Sequence, residues 1–427
     1  MLPAIPEKNV FLSRELSGQR IRWNWIIHWR ADLVWYVGSA LAGWLYVILV
    51  LNLGRGLKDP LHDPFYTLTL GSHSFSLTLY LAVFISWAFL VDSPHLWATL
   101  ARTYLDPDEW SRRRRELLFA LVLFGIGPIA VLGPYLLGIV VPLSDRAMAR
   151  GEELFFVFFR LWAYQHVVRQ HWGFLMLYKR RNSDLQDSIE NRADFWFFNL
   201  SLYLPLLMFV SAPWYYETGF PQLDTGLIGT HVITQTVHSI CFILYLAIVV
   251  GYVLFQIRRW ANGVTRNGPK LLFLLSIVPL HFVVFAQPLL GYFVAPIVTV
   301  GHNLQYHRIV WMYGRNKYAG DGTGQYWLVK PIFRQLWLYL LLGGVFTFGF
   351  HRGPWINFLE ETLGFYFDRW IFPAIGLMAG LTDPATVGVG AQVIGLLFTG
   401  WSMHHYYLDG KIWHVNRDSA VARSLNV

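Results

Sequence analysis

Long apolar runs, separated by short charged segments, constrain this chain more than any other feature. Ten of these runs are long enough to form membrane-spanning helices. Only 14% of the 427 residues are charged, whereas soluble domains carry roughly 25% charged residues. The sequence therefore predicts an all-α, polytopic transmembrane helical bundle with spans near 33–53, 76–98, 117–141, 154–178, 195–213, 230–257, 271–291, 295–313, 335–350 and 387–407.

The basic residues between the runs predict how the bundle is oriented. Most of the 34 Lys and Arg residues fall in alternate inter-span segments. Because cytoplasmic loops are enriched in Lys and Arg, we expect both termini on the cytoplasmic side of a bacterial inner (plasma) membrane. The predicted parts are a cytoplasmic segment 1–32, a transmembrane bundle 33–407 and a cytoplasmic tail 408–427. Within the bundle, the segment 351–386 is either an interfacial or re-entrant segment or an eleventh span. Because two cytoplasmic termini require an even number of spans, we favour the interfacial segment.

Charge and cysteine content exclude two classes of function. The net charge of +8 could suggest a nucleic-acid partner, but the positive residues are distributed as membrane topology requires, so no nucleic-acid partner is expected. Cys241 is the one cysteine in the sequence. A disulfide within the chain is therefore excluded, and a thiolate metal site is not expected.

Histidines are concentrated at one level of the predicted bundle. Four even-numbered spans, which run from outside to inside, carry imidazoles near their cytoplasmic ends. Ionisable groups inside a membrane are costly and are functional candidates by default. Neutral imidazoles suit iron, zinc, copper and nickel, and a carboxylate adds an oxygen donor. We therefore predict a metal site formed by His95, His166, His171, His302, His307, His404, His405 and Asp409.

The spacing of these histidines is regular. The segments "QHVVRQH" and "GHNLQYH" each place two histidines five residues apart, as His166 with His171 and His302 with His307. Five residues correspond to about 140° around an α-helix. Such a pair can serve two metal ions, or one ion if the helix contains a π-bulge.

Other polar residues have predicted supporting roles. Those next to the histidines are expected to orient the ligands; they are Asp92, Gln165, Gln170, Asn303, Gln305 and Tyr306. The arginines within the spans are expected to anchor an acidic head group; they are Arg160, Arg169 and Arg308. Three further in-span histidines are interpreted as hydrogen-bonded packing residues; they are His231, His238 and His281.

In its architecture, the chain resembles the histidine-rich integral-membrane iron enzymes, which include fatty acid desaturases, sterol and fatty acid hydroxylases and membrane carotenoid dioxygenases. The shared feature is histidine from several helices at the cytoplasmic membrane face. In place of the HxxxH and HxxHH boxes of the desaturases, this chain has HxxxxH twice and one HH pair. The resemblance implies a non-heme iron oxidoreductase with two irons per chain, dioxygen, a lipid-soluble substrate and a separate electron-donor protein.

Three alternatives remain open from the sequence. Histidines on different helices can ligate heme from both sides, as in a membrane electron-transfer protein or a quinol oxidase. A zinc-dependent lipid hydrolase or transferase needs three protein ligands and an activated water. A transporter is the third possibility in this group, although its site is expected at the midplane rather than near one face.

Overall fold

The computed structural model describes residues 21–59, 61–70, 73–212, 231–320, 326–350, 384–415 and 418–425. Helices dominate these residues, so the all-α expectation is confirmed in them apart from two short strand pairs. Most of the predicted segments 1–32 and 351–386 lies outside the described residues. The longer helices, in chain order, are α1 (Ala40–Gly54), α2 (Leu79–Trp87), α3 (Ser93–Thr103), α4 (Pro107–Val122), α5 (Ile126–Val140), α6 (Asp145–Arg181), α7 (Ser188–Val210), α8 (His231–Ala261), α9 (Gly268–Ala286), α10 (Val294–Lys317), α11 (Leu336–Phe350), α12 (Pro384–Ile412) and α13 (Ser419–Leu425).

The strands are short and form two separate pairs. β1 (Ile21–Arg22) pairs in parallel with β4 (Arg266–Asn267), and β2 (Pro64–Leu70) pairs antiparallel with β3 (His73–Thr78). The predicted span 76–98 therefore begins later than expected, at Leu79. The Thr78 hydroxyl accepts from the Leu81 N–H at 3.1 Å and caps α2 there.

Several helices are compatible with a membrane. Five helical stretches of the described chain are long and apolar enough to cross one: Leu79–Thr103, Pro107–Gly138, Ser188–Val210, Gln235–Ala261 and Gly268–Ala286. A sixth results if Trp29–Val37 and α1, bent by 40°, form one broken span. Large apolar side chains on α1 and α8 are exposed, among them Leu45 at 66% and Ile243 at 64%. Exposed apolar faces of this extent are typical of surfaces that contact lipid or protein.

Two compact units divide the chain. Unit 1 comprises Met1–Arg55 and Val168–Gln305, with the last residue, and unit 2 comprises Gly56–Val167 and Tyr306–Asn426. Each unit is thus assembled from separated stretches of sequence.

Unit 1 is held together by α7, α8 and α9. Its apolar core contains Leu204, Met208, Cys241 and Tyr245. Helix α1 approaches α9 and α10 closely at Gly43, where a Cβ atom would lie 2.7 Å from the Ile297 carbonyl oxygen. A small residue is required at this crossing.

A buried ion-pair network lies at one end of α7 and α9 in unit 1. The Lys270 ammonium contacts Glu190 at 2.6 Å and Asp194 at 3.1 Å, and Lys179 also contacts Asp194. The Tyr252 hydroxyl donates to Asp194 at 2.6 Å. Buried cations and anions are therefore paired within the network.

The core of unit 2 lies between α5, α6 and α12 and contains Leu123, Val131, Phe155, Leu396 and Met403. Arg102 on α3 is fully buried, with its guanidinium 4.1 Å from the Tyr313 ring centre and 4.4 Å from that of Trp413. The same guanidinium donates to the Ile412 carbonyl at 2.9 Å. These contacts attach the end of α12 to α3 by cation–π packing and a hydrogen bond.

A five-residue π-helical turn, Ala88–Asp92, joins α2 to α3. The Ser93 N–H bonds the Ala88 carbonyl across this turn. Pro94, the next residue, has no N–H to donate, so the turn occurs where the regular helical ladder is already interrupted. π-turns of this kind are frequent at functional sites.

The C-terminal helix α13 is fastened by Asp418. Its carboxylate accepts from the Val421 N–H at 3.2 Å and contacts Arg112 at 2.8 Å and Arg113 at 2.9 Å. Burial raises the pKa of Asp418, but these hydrogen bonds and charges outweigh it, so the pKa lies below its ordinary value.

Candidate metal centre

Three histidines of unit 2 converge on one point. His95 is on α3, His166 on α6 and His405 on α12, and all three are buried. The His405 Nε2 atom lies 2.7 Å from Nε2 of His95 and 3.1 Å from Nε2 of His166. Three helices therefore bring three ligand atoms together, and those atoms all lie within 4.8 Å of one another.

These distances match the spacing of donors around a single ion. Imidazole nitrogens bind zinc at about 2.0–2.1 Å, so adjacent ligands on one ion stand about 3.0–3.4 Å apart. The observed separations of 2.7 and 3.1 Å lie close to this range. Of these two separations, the one of 2.7 Å would have to widen by about 0.3 Å to reach this range.

The protonation of His95 is fixed by its other ring nitrogen. His95 Nδ1 lies 2.9 Å from the Asp92 carbonyl oxygen, which can only accept a hydrogen bond. Nδ1 therefore carries the proton, and in the neutral ring Nε2 presents a lone pair toward His405. Metal-binding histidines are oriented by this kind of contact. Asp92 thus contacts His95 through its backbone carbonyl, whereas its carboxylate lies 4.0 Å away.

A chain of hydrogen bonds orients His405 in the same way. His405 Nδ1 is 2.6 Å from the Thr99 hydroxyl, which is 2.7 Å from the Tyr306 hydroxyl. The Tyr306 hydroxyl in turn bonds the Asp409 carboxylate. The Asp409 carboxylate accepts at the end of this chain, so the Tyr306 hydroxyl donates to it and the Thr99 hydroxyl donates to Tyr306. His405 Nδ1–H then donates to the Thr99 hydroxyl, and every donor has an acceptor. The lone pair of His405 Nε2 then faces the other two histidines.

Asp409 lies beside the centre. Its Oδ2 atom is 3.8 Å from His166 Nε2, and its Oδ1 atom accepts from Trp413 Nε1 at 3.1 Å. The Tyr406 ring packs on His166 with ring centres 4.7 Å apart. Asp409 therefore combines a position within reach of a bound ion with the role of terminal acceptor for Tyr306.

Two of the histidines predicted as ligands have other partners within unit 2. The neighbour of His405, His404, has its Nε2 atom 2.8 Å from the Tyr104 hydroxyl and packs against Phe124. His307 Nδ1 is 2.9 Å from the Tyr339 hydroxyl. Adjacent residues on a helix point about 100° apart, so His404 and His405 face different sides of α12.

The other two predicted ligands, His171 and His302, belong to unit 1. Both are buried, and the His171 ring lies beside that of His302 and beside that of His281, which the sequence analysis interpreted as a packing residue. The Gln170 side chain donates to the His302 carbonyl at 2.8 Å, and the Gln305 side chain donates to the Tyr36 carbonyl at 2.9 Å. These two amides therefore hold backbone groups.

The remaining predicted residues differ in exposure. Asn303 is buried, Arg308 is half-buried, and Gln165, Arg160 and Arg169 are exposed on α6. An exposed arginine on a helix of this kind can reach a phosphate or carboxylate at a membrane surface.

Sequence reasoning missed two residues of the unit 2 centre, Thr99 and Trp413. Thr99 is one helical turn after His95, and Trp413 is four positions after Asp409. Residues four apart share a helix face, so this spacing was the available signal. Threonine in a helix often bonds its own backbone instead, as Thr103 does to the Thr99 carbonyl at 2.6 Å.

Comparison of this chain with models of protein families, with curated proteins and with solved structures found no match.

Proposed function

We propose that this chain is an integral-membrane, metal-dependent oxygenase or desaturase that acts on a lipid-soluble substrate. Its reactive ion is held by His95, His166 and His405. The observation that carries the proposal is the convergence of three buried Nε2 atoms, two of which belong to rings whose Nδ1 atoms, in His95 and His405, are engaged by other groups. Three protein ligands leave coordination positions open for a reactant.

Iron is the metal that we propose for this centre. Imidazoles with a nearby carboxylate are a donor set that iron accepts, and the architecture-level resemblance is to membrane iron enzymes. When bound, iron would activate dioxygen reductively against a C–H or C=C bond of the substrate. The electrons come from a separate redox protein.

The surroundings of the centre favour apolar reactants. The three histidines are at most 6% exposed, and the rings of Tyr306 and Tyr406 pack against His405 and His166. Dioxygen and hydrocarbon chains partition into such surroundings, whereas water is excluded from them. This favours oxidation of a lipid-soluble substrate over hydrolysis.

The role of the protein is to orient ligands and hold protons. The Asp92 carbonyl keeps the His95 proton on Nδ1, and Thr99 with Tyr306 does the same for His405. Arg160 and Arg169, exposed on α6, contact an acidic head group at the membrane surface. Ten spans, cytoplasmic termini and a bacterial inner membrane complete the proposal, on the strength of the apolar runs and the distribution of basic residues.

The spacing of the histidines counts against heme. The ligating nitrogens of two axial imidazoles stand about 4 Å apart, because each lies about 2 Å from the iron on opposite sides of the macrocycle. The Nε2 atoms here are 2.7 and 3.1 Å apart. A porphyrin plane does not fit between either pair.

The proposal is tested on protein purified in detergent, by elemental analysis, an optical spectrum and dioxygen uptake with a reductant and a panel of fatty acyl lipids and carotenoids. We expect bound iron, no Soret band and uptake with at least one lipid. His166→Ala should abolish this uptake, whereas His238→Asn should retain it, since His238 has its own partner in the Met208 carbonyl.

Three results would overturn the proposal. A Soret band would assign the protein to the cytochromes. Zinc without iron would assign it to hydrolysis or group transfer. Uptake that survives in the His166→Ala protein would remove the centre from the reaction.

A further inference from the structure

A short series of aromatic rings leads from the unit 2 centre toward the surface of that unit. The Tyr306 ring centre lies 5.1 Å from that of His405, and the Trp413 ring centre lies 6.1 Å from that of Tyr306. Trp413 is held in place by its Nε1–H, which donates to the Asp409 carboxylate at 3.1 Å. Tyr306 is fully buried, whereas Trp413 is partly exposed. Trp413 is therefore the member of this His405 series that a partner at the surface can approach.

The rings of the His405 series are in contact with one another. Aromatic rings in contact have centres about 4.5–7 Å apart, and both steps of the series fall in that range. Electron tunnelling weakens steeply with the empty distance between donor and acceptor orbitals. Contacting π systems shorten that distance, so the series is suited to carry electrons between Trp413 and the centre.

A second series of the same composition begins at the neighbouring histidine of α12. The Tyr104 ring centre lies 5.4 Å from that of His404, and the Trp110 ring centre lies 6.0 Å from that of Tyr104. Trp110, like Trp413, is partly exposed. Because His404 bonds Tyr104 and faces away from the centre, this His404 series ends at a histidine that is not a ligand. The chain thus contains its own control for a route through the His405 series.

The helices that meet near Trp413 carry exposed basic side chains. Trp413 directly follows the end of α12, and α10 passes it at Tyr313, with ring centres 5.9 Å apart. Arg113 ties α4 to the other two elements, because it donates to the Lys411 carbonyl at 3.0 Å and contacts Asp418, the cap of α13, at 2.9 Å. The exposed basic side chains of these four helices form one basic surface: Arg114, Arg115, Arg315, Lys411 and Arg423.

Acidic side chains of the same described helices do not balance this surface. Three acids near it are buried: Glu109, Asp409 and Asp418. Asp108 contacts Lys317 at 3.1 Å, and Glu116 is half-buried. The exposed charge around Trp413 is therefore positive. Complementary charge on a partner steers its encounter with such a surface, so the partner that fits is acidic.

We propose that the basic surface docks a small, acidic, one-electron carrier protein and that its electrons reach the centre through Trp413 and Tyr306. This inference rests on the proposed function and deepens it by placing the entry site of the electron donor. In each transfer the carrier is oxidised by one electron, and ferric iron held at His405 is reduced to ferrous iron. No bond forms or breaks in that step, and no proton is transferred.

Docking is tested on metal-free, full-length protein in a non-ionic detergent, so that the result is independent of the proposed function. The probe is an acidic plant-type ferredoxin, and its Kd is measured at low and at high salt. We expect Arg315→Glu with Arg423→Glu to weaken binding at low salt by about tenfold or more, because like charges then face each other. High salt should weaken the binding of the wild type.

The matched control for docking is Arg192→Glu, which reverses an exposed arginine of unit 1 and should bind as the wild type does. If the double variant does not fold, Arg114→Glu with Arg115→Glu takes its place. Equal affinity of the wild type and the double variant would overturn the docking site. Unchanged ferredoxin affinity together with loss of bound anionic lipid, measured by native mass spectrometry, would assign the basic surface to lipid head groups instead.

The route is tested by rapid mixing of iron-loaded protein with reduced ferredoxin in the absence of dioxygen. Trp413→Leu should slow the reduction of iron at least severalfold. Trp413→Phe lacks the Nε1–H as well but keeps a ring, so it should slow the reduction less. Trp110→Leu interrupts the His404 series and should reduce at the rate of the wild type.

The outcomes separate the route from the proposed function. Dithionite titration first measures how much reducible iron each protein holds. Equal rates in Trp413→Leu and Trp110→Leu, or equal rates in Trp413→Leu and Trp413→Phe, would overturn the route. A wild type with no reducible iron would overturn the proposed function and the route with it, whereas the docking result from metal-free protein would stand.

Discussion

The ion-pair network of unit 1 and the histidine group of unit 2 are both buried, but their charges are organised differently. In the network, Lys270 and Lys179 contact the carboxylates of Glu190 and Asp194, so the charges compensate one another. In the unit 2 group, neutral nitrogens face each other at 2.7 and 3.1 Å. The first arrangement is complete as it stands, whereas the second would gain its stabilisation from the cation that we propose.

This difference distinguishes structural from functional burial of polar groups. Breaking a compensated network leaves an unpaired buried charge, which is costly in any condition. Removing a metal ligand affects the molecule chiefly when the metal is present, because the ion stabilises only the state that binds it. Substitutions in the two regions should therefore differ in how strongly their effects depend on metal.

The largest effect is expected from the network. Lys270→Met should lower the free energy of unfolding by about 3–5 kcal/mol, because it leaves the Glu190 and Asp194 charges underpaired. Arg192→Met is the matched control on the same helix as the two acids; Arg192 is exposed, and its loss should cost less than about 0.5 kcal/mol. Thermal unfolding in detergent measures both. Equal stability of the two variants would show that the network is not compensated in this way.

Metal addition should produce the next largest effect. At a zinc concentration of about 100 times Kd, an ion that binds only the folded state adds about 2.7 kcal/mol. We expect the increment for the wild type to exceed that for His95→Ala by about this amount. Melting curves with zinc and with a chelator measure it, and identical increments in the two proteins would speak against His95 as a ligand.

A smaller effect is expected from the hydrogen-bond chain. Thr99→Val removes the contact to His405 Nδ1 and should weaken zinc affinity about 10- to 100-fold, the usual cost of losing a group that orients a ligand. Thr103→Val is a matched control, because its hydroxyl bonds the backbone of its own helix. Competition with a zinc-binding dye measures both affinities. If both variants bind equally well, the chain through Thr99 does not orient His405.

The smallest effect is expected at the C-terminal helix. The pKa of Asp418 is lowered on folding, so its contribution is present at neutral pH and is lost as pH falls through the folded pKa, below its ordinary value of 3.8. Asp418→Asn keeps a capping oxygen but removes the charge beside Arg112, which is 40% exposed. The cost should be about 0.5–1 kcal/mol. This loss of stability should appear as faster amide hydrogen exchange across Ser419–Leu425. Unchanged exchange would contradict the prediction.

Much of the helical architecture could be predicted from apolar runs. The helices α1, α7, α9 and α11 fall where long runs predicted them, because buried or lipid-facing helices need continuous apolar sequence. The hairpin of β2 and β3 was missed although both strands alternate polar and apolar residues, in 67–70 and in 74–78, because a search for long apolar runs detects helices and not alternating strands. The division into two units joins distant stretches of sequence, which local patterns do not report.

Histidine positions were informative about the type of site and less so about its members. His95, His166 and His405 were predicted as ligands, and the structure brings them together. The choice between His404 and His405 depends on how α12 is rotated against its neighbours, and tertiary packing decides that rotation. His281 was interpreted as packing because a lone histidine within an apolar helix carries no partner in its own sequence.

The most direct test of the central claim compares the two adjacent histidines of α12. His405→Ala and His404→Ala remove the same atoms from the same helix, but only His405 faces His95 and His166. Metal content per chain, measured by elemental analysis of both purified proteins after loading, is the readout. We expect His405→Ala to bind one ion fewer than the wild type and His404→Ala to bind the same number. Equal metal content in the two variants would contradict it.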